Sequence, residues 1–166
     1  MMTSLLSGRV KEGFDLCSDD TFDDKNPFYR NKPTEADMVH CVIYIVDICS
    51  VGTLDQSFID MIRNLQKKQI KPDIQRILIL TKCDQLCDHV KRDVRQIFHS
   101  KRVFDEINRA KEKLCFHGGI IHPIVNYGEH ITKIKPDMNV PILLALKQCM
   151  NFSNEFMKKC VADSAD

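Results

Sequence analysis

Arg76-Ile77-Leu78-Ile79-Leu80-Thr81-Lys82-Cys83-Asp84 is an apolar run that stops abruptly at a charged tetrapeptide. A run of that kind before a turn signal reads as a strand buried on both faces. Thr-Lys-x-Asp at its end has the chemistry of a guanine reader. The aliphatic stem of Lys82 would lie over the base. The Asp84 carboxylate would accept two hydrogen bonds, from the ring N–H and the exocyclic amine. Adenine would turn an acceptor and a misplaced amine toward the same carboxylate. The plain alternative is that Lys82 and Asp84 are a solvated strand end and a helix cap.

On the amino-terminal side, His40-Cys41-Val42-Ile43-Tyr44-Ile45-Val46-Asp47 is a second β-branched run, again suited to a buried parallel strand. Between the two, Phe58, Met61, Ile62, Leu65 and Gln69 recur at helical spacing, with Thr53 or Asp55 as cap and Lys71-Pro72-Asp73 as the stop. On the carboxyl side a helical stretch over 88–114 carries Val90, Val94, Ile97, Phe104, Ile107 and Leu114, with a break at Ser100 and an end at Gly118-Gly119. Ile120 to Val125 reads as a third strand. Asn139 caps a last helix whose first turn is Val140-Pro141 and whose buried face is Ile142, Leu146, Cys149, Phe152 and Phe156. Strand, helix, strand, helices, strand, helix predicts an α/β fold, a parallel sheet flanked by helices.

Residues 1–39 are the irregular part. Asp15, Asp19, Asp20, Asp23 and Asp24, with Asn26-Pro27 and Lys32-Pro33, read as a long acidic loop, a length that is either mobile or functional. The expected organisation is an irregular acidic segment over 1–39, the α/β body over 40–160, and a disordered tail over 161–166. The net charge of +1 gives no argument for nucleic acid or an anionic membrane. Nor does any apolar stretch reach membrane-spanning length. Eight cysteines lie within apolar patterns, in the motif itself or among charged helices, which argues against a disulfide framework and for free thiols in a reducing, cytoplasmic setting.

Open α/β sheets bind ligands beyond the carboxyl ends of their strands. Asp47, Thr81-Lys82-Cys83-Asp84 and Asn126-Tyr127 each follow one of the three strands, so the fold would set them along one rim. The phosphate-holding part of a nucleotide site is harder to find. Gly8 and Gly13 have the spacing of a phosphate loop, but Phe14-Asp15 stands where Lys-Ser/Thr is required, and an aspartate there would repel phosphate. Asp47 reads as the cap of the following turn. Cys83 and Cys87 lack a second ligand pair for a metal, and Cys115 lacks a basic partner for nucleophilic chemistry. Lys91-Arg92, Lys101-Arg102 and Lys111 with Lys113 read as solvated helix faces. No catalytic residue and no metal ligand is assigned.

The chain resembles the interferon-induced protein 44 and 44-like family, relatives of the dynamin-type and immunity GTPases. The resemblance is carried by Leu6-Ser7-Gly8-Arg9-Val10-Lys11-Glu12-Gly13-Phe14, His40 through Asp47, Ile79 through Asp84, Val125-Asn126-Tyr127 and Ile142 through Gln148. It implies a partial P-loop GTPase-like, Rossmann-like three-layer fold. It also implies that Thr81, Lys82 and Asp84 form the base-specificity motif and that Asn126 and Tyr127 lie in the loop that closes around guanine. GTP or GDP would be the ligand, with magnesium only where a phosphate site is supplied elsewhere. The family's phosphate loop and switch regions lie upstream of the matching residues, which implies a truncated, alternatively spliced or fragmentary gene product without competent hydrolysis. A cytoplasmic, interferon-linked innate immune and antiviral role follows from the same resemblance. In that fold a further strand lies beside residues 41–47, so its loss would expose a strand edge. The alternative function is then a non-nucleotide-binding interaction module, acting on a protein partner or by self-association through that edge.

Overall fold

The computed structural model describes residues 1–17, 21–67, 74–128 and 135–163. Three parallel strands form one sheet: β1 (Cys41–Asp47), β2 (Gln75–Thr81) and β3 (Ile121–Pro123), in that spatial order. Tyr44 stands opposite Leu78 and Val46 opposite Leu80, while Leu78 also meets Ile121 across the other edge of β2. The central strand is the most apolar, because in a parallel sheet both of its faces must be covered. Ile77, Leu78 and Leu80 are fully buried.

Six helices surround the sheet among the described residues: α1 (Met2–Leu6), α2 (Gln56–Lys67), α3 (Cys83–Leu86), α4 (Asp88–Arg92), α5 (Lys101–Leu114) and α6 (Pro136–Asp163). One face of the sheet, that of Tyr44, Val46, Leu78 and Leu80, packs with α2 and α5 through Ile59, Ile62, Val103, Ala110 and Leu114. The T-shaped ring contact of Tyr44 with Phe116, just after α5, belongs to the same layer. The other face carries Cys41, Ile43, Ile45 and Ile77, and α6 crosses it. The result is the expected α/β sheet flanked by helices, in a Rossmann-like arrangement.

The helices differ in detail from the sequence reading. In α2 the carbonyl of Asp55 accepts the first helical bond from the Ile59 amide, as a cap there requires. Ile59 and Ile62 face inward, whereas Met61 points to solvent. Gln69 and the stop at 71–73 lie outside the described residues. Ser100 does break the next stretch: its hydroxyl accepts from the Val103 amide and opens α5. Val103 rather than Phe104 enters the core, because one residue is a 100° step around a helix and Leu114 and Ala110 set the inward direction. That helix stops at Cys115, which takes a left-handed conformation, and not at Gly118-Gly119.

The last helix begins before Asn139. Pro136 takes the first position, where its missing N–H costs nothing, and the Met138 and Asn139 amides both bond to the Lys135 carbonyl. Pro141 therefore lies inside α6, still near its start. The expected face of this helix holds at Ile142, Cys149, Phe152 and Phe156, which are buried or partly so, but Ala145 takes the inward place given to Leu146, which is about half exposed. The helix runs to Asp163, three residues into the segment read as a tail. The third strand pairs only over Ile121–Pro123, since Gly118–Ile120 forms a 3-10 turn before it.

The amino-terminal segment is more ordered than an acidic loop. Asp15, Asp23 and Asn26 each accept the backbone N–H two residues on, so these side chains close local turns. Phe14, Phe22, Phe28 and Tyr29 form a small ring cluster, and Arg9 lies over Tyr29. Gly8 has φ +74, and a Cβ there would sit 2.5 Å from the Asp37 carbonyl oxygen, so only glycine fits. Leu6 and Met38 pack with Ile74, Phe156 and Cys160. The Val39 amide bonds to the Leu6 carbonyl, which ties this segment to the entrance of β1, away from the strands' carboxyl ends.

Candidate functional site

The carboxyl ends of the three strands meet as the sequence implies. Thr81 closes β2, and its buried hydroxyl donates to the Val46 carbonyl of β1 at 3.3 Å. Lys82 then turns the chain in a left-handed conformation, φ 60 and ψ 34, which residues with a Cβ seldom adopt. Its amide donates to Asn126 Oδ1 at 3.3 Å. The Cys83 amide donates to the Ile124 carbonyl, and the Ile124 amide to the Leu80 carbonyl at 2.8 Å, so the β3 exit is stitched to the motif. Cys83 itself is fully buried in the core, and burial pushes its thiol up to about 12. It anchors the motif; it is no nucleophile.

Asp84 opens α3 half-buried and has no hydrogen-bond or ion-pair partner among the described residues. It lines a cavity of about 740 Å³ together with Val125, Asn126 and Gly128. Lys91, Arg95, Lys135 and Met138 complete much of the wall. Arg95 is held by Asp93 at 2.9 and 3.0 Å. The sequence reading took Lys91 for part of a solvated helix face and gave Arg95, Lys135 and Met138 no role. Their signal was weak, because α4 and the start of α6 reach the rim only through the fold.

Three expected site residues stand apart from this cavity: Thr81, buried in the sheet, and Lys82 and Tyr127. The Lys82 ammonium donates to Asp47 Oδ2 at 2.7 Å, tying the ends of β2 and β1. Asp47 also caps the following turn as expected, its Oδ1 accepting from the Cys49 amide at 2.9 Å. Tyr127 is not in the cavity wall. Its hydroxyl meets Asn139 Oδ1 at 2.8 Å and accepts from the Lys135 amide at 3.0 Å, bracing the loop against the start of α6. That contact occupies the Asn139 side chain that the sequence reading gave to a helix cap.

The Lys82 hydrogen bond holds the Asp47 carboxyl below its ordinary range, and the Cys49 amide adds to the effect against the cost of burial. Asp47 in turn raises Lys82. A depressed carboxyl stabilises the fold above its unfolded value near about 4, and that contribution disappears as pH falls through the lower folded value. The raised ammonium contributes below its unfolded value and loses its contribution as pH rises through the higher folded one. We expect the Asp47 carboxyl carbon, followed by NMR, to titrate below the ordinary aspartate value and to move up toward it in Lys82→Met. An unchanged midpoint in the variant would contradict the pairing.

Among the described residues no group of three or more His, Cys, Asp and Glu is arranged to hold a metal ion. No helix among them is long and apolar enough to cross a membrane. Among the described residues, which include all eight cysteines, there is no disulfide.

Comparison with known proteins adds a distant kinship. Mouse interferon-induced protein 44 is 25% identical over 154 residues, covering 93% of this chain and 36% of that protein. The human protein of the same name is 21% identical over the same share of the chain, and human interferon-induced protein 44-like is 22% identical over 156 residues. This is a distant relationship. The chain spans about a third of the length of these curated relatives. No protein-family model matches it. No solved structure matches it either.

Proposed function

We propose that the rim at the ends of β2 and β3 recognises a guanine base, in a protein of the interferon-induced innate immune response. The observation that carries this reading is the shared cavity of Asp84 and Asn126, with the Asp84 carboxylate uncommitted to any described protein group. A half-buried carboxylate at a cavity wall has its acceptors open to donors that a ligand supplies. Guanine offers two on one edge, spaced for one carboxylate. Thr81 and Asn126 hold the turn: one hydroxyl bond to β1 and one amide bond from Lys82 fix where Asp84 points. Lys82 would cover the base with its stem either while keeping its ammonium on Asp47 or after releasing it. Tyr127 supports this reading indirectly, by bracing the loop that carries Asn126.

GTP or GDP is the proposed ligand and recognition the proposed act, without a hydrolytic step. Gly8 and Gly13 supply no phosphate loop in this reading, because the Gly8 carbonyl accepts from Arg30 and the segment is tied to the opposite end of β1. Magnesium would enter only with a phosphate site supplied elsewhere. The immune and antiviral setting and the cytoplasmic location are carried by the distant relatives alone. Titrating the full chain with fluorescent GTP and ATP analogues, with and without magnesium, tests the reading. Saturable binding that prefers GTP and does not need magnesium is expected; equal binding of both nucleotides would overturn it. Among the described residues β1 has a strand on one side only, which favours a second reading, association with a protein partner through that edge.

A further inference from the structure

A second cavity, of about 620 Å³, opens at the amino-terminal end of β2, where the last turns of α2 and α5 meet the sheet. Arg76 has the parity of Leu78 and Leu80, so it stands on the face that α2 and α5 cover. Arg63 and Lys67 reach the same wall from successive turns of α2, and His117 follows the end of α5. Asp84 lies beyond the other end of the strand, about 20 Å away at the rise of an extended chain. The cavity is therefore separate from the guanine rim.

Both arginines are held in place by single hydrogen bonds. Arg63 Nη2 donates to the Lys113 carbonyl at 2.9 Å, and Arg76 Nη1 to the Gln66 carbonyl at 3.2 Å. Gln66 Nε2 in turn donates to the Leu114 carbonyl at 3.0 Å, so the two helix ends and the strand form one braced frame. Satisfying a last-turn carbonyl takes one donor, whereas a guanidinium carries five. Neither arginine has an ion pair among the described residues. Arg63 Nε is buried and meets no acceptor. Helix capping alone gives no reason for Lys67 and His117 to line the same space, and no Asp or Glu stands among the described lining residues. Phe116 and Ile120 add apolar surface beside the cations.

We propose that this cavity binds a small phosphate ester, its phosphoryl oxygens on Arg63, Arg76 and Lys67 and its carbon body against Phe116 and Ile120. The proposal is independent of the guanine reading. Guanidinium forks match the oxygens of a phosphate, and the lysine ammonium adds a point charge. A phosphate monoester carries close to two negative charges at neutral pH and several acceptor oxygens, so it can engage three cations at once where a carboxylate engages one or two. The volume is that of a small-molecule site. His117, exposed at the mouth, offers a further ring N–H. Because the frame already fixes both arginines, binding orders few side chains.

The test is titration of the full chain with phenyl phosphate, followed through the arginine Nε–Hε signals by NMR. Saturable binding with a Kd of about 1 mM or tighter is expected, with the Arg63 and Arg76 signals shifting together. Inorganic phosphate should bind at least about threefold more weakly, because it leaves Phe116 and Ile120 uncovered. Arg76→Gln should weaken binding by about 10-fold or more, the loss of a charge-assisted pair of hydrogen bonds. Lys67→Ala, exposed and outside the braced frame, should weaken it by about threefold with the circular dichroism unchanged, which separates loss of the site from loss of folding. Asp84→Asn should bind phenyl phosphate as the parent does, so failure here and failure at the guanine rim are read separately. No saturation by about 10 mM overturns the proposal. So does binding that both cavity variants leave unchanged, or equal affinity for inorganic phosphate, which would remove the carbon body from the site.

Discussion

Asp84→Asn is expected to lower the affinity for guanine nucleotides by about 100-fold or more while creating affinity for xanthine nucleotides. Asp84 is asked to accept two charge-assisted hydrogen bonds, each contributing about 1.5–3 kcal/mol. An asparagine amide keeps one acceptor but turns an NH₂ toward a donor of guanine, leaving both groups unsatisfied. Xanthine carries a carbonyl where guanine carries its exocyclic amine, and the amide NH₂ matches it. The substitution is nearly isosteric and the side chain is only half-buried, so the turn through Lys82 and Cys83 should persist. Titrating the variant with GTP, XTP and ATP checks this. An inverted preference supports the base-reading role in a way that partial unfolding cannot imitate, because an unfolded rim gains nothing. An unchanged GTP affinity, or an equal loss for all three nucleotides, would remove Asp84 from the role.

Leu78→Ala should cost about 2–5 kcal/mol of stability, the usual range for removing a fully buried leucine. Leu78 is fully buried in the central strand, between Tyr44 of β1 and Ile121 of β3, and packs in the cluster shared with α2 and α5. Little can collapse into the space, because the neighbours on both sides are strand residues held in register. For a domain with about 5–15 kcal/mol in hand, this is a large share. Urea unfolding at low micromolar concentration should show a lower midpoint with an unchanged slope. Ile45→Ala, at the exposed edge, is the comparison and should move the midpoint by about 0.5 kcal/mol or less in the monomer. Equal costs at the two positions would mean that the core does not lie where these strands put it.

Much of the architecture was legible because it is local. The runs at 41–47 and 75–81 are continuous and β-branched, and a buried parallel strand has few other readings. Asp47 and Ser100 acted as caps because a short polar side chain meets the nearest free amide whatever the rest of the chain does. Errors came where the choice depended on a distant surface. Val103 and Phe104 are both apolar and adjacent, and only the position of the sheet decided which one faced in. Asn139 is a good cap by type, but Pro136 started the helix earlier and Tyr127 took its side chain. The aspartates near the amino terminus looked like a loop because turns closed by Asp and Asn have no hydrophobic period to betray them.

For the candidate site, the sequence by itself determined the order of the strands' ends and the residues that follow them: Asp47, Thr81 through Asp84, and Asn126. That information is carried by neighbours in the chain, where strand period, turn chemistry and the buried Cys83 leave little freedom. Only the tertiary structure decided which of those side chains are already committed. Lys82 is paired with Asp47 across 35 positions, Tyr127 is held by Asn139, and Asp84 faces a cavity walled by α4 and α6. It also decided that Ile43 and Ile45 stay exposed on the face that α6 crosses. Such pairings arise from how separate elements pack, and a linear pattern of apolar and charged residues holds no record of which surface another element leaves open.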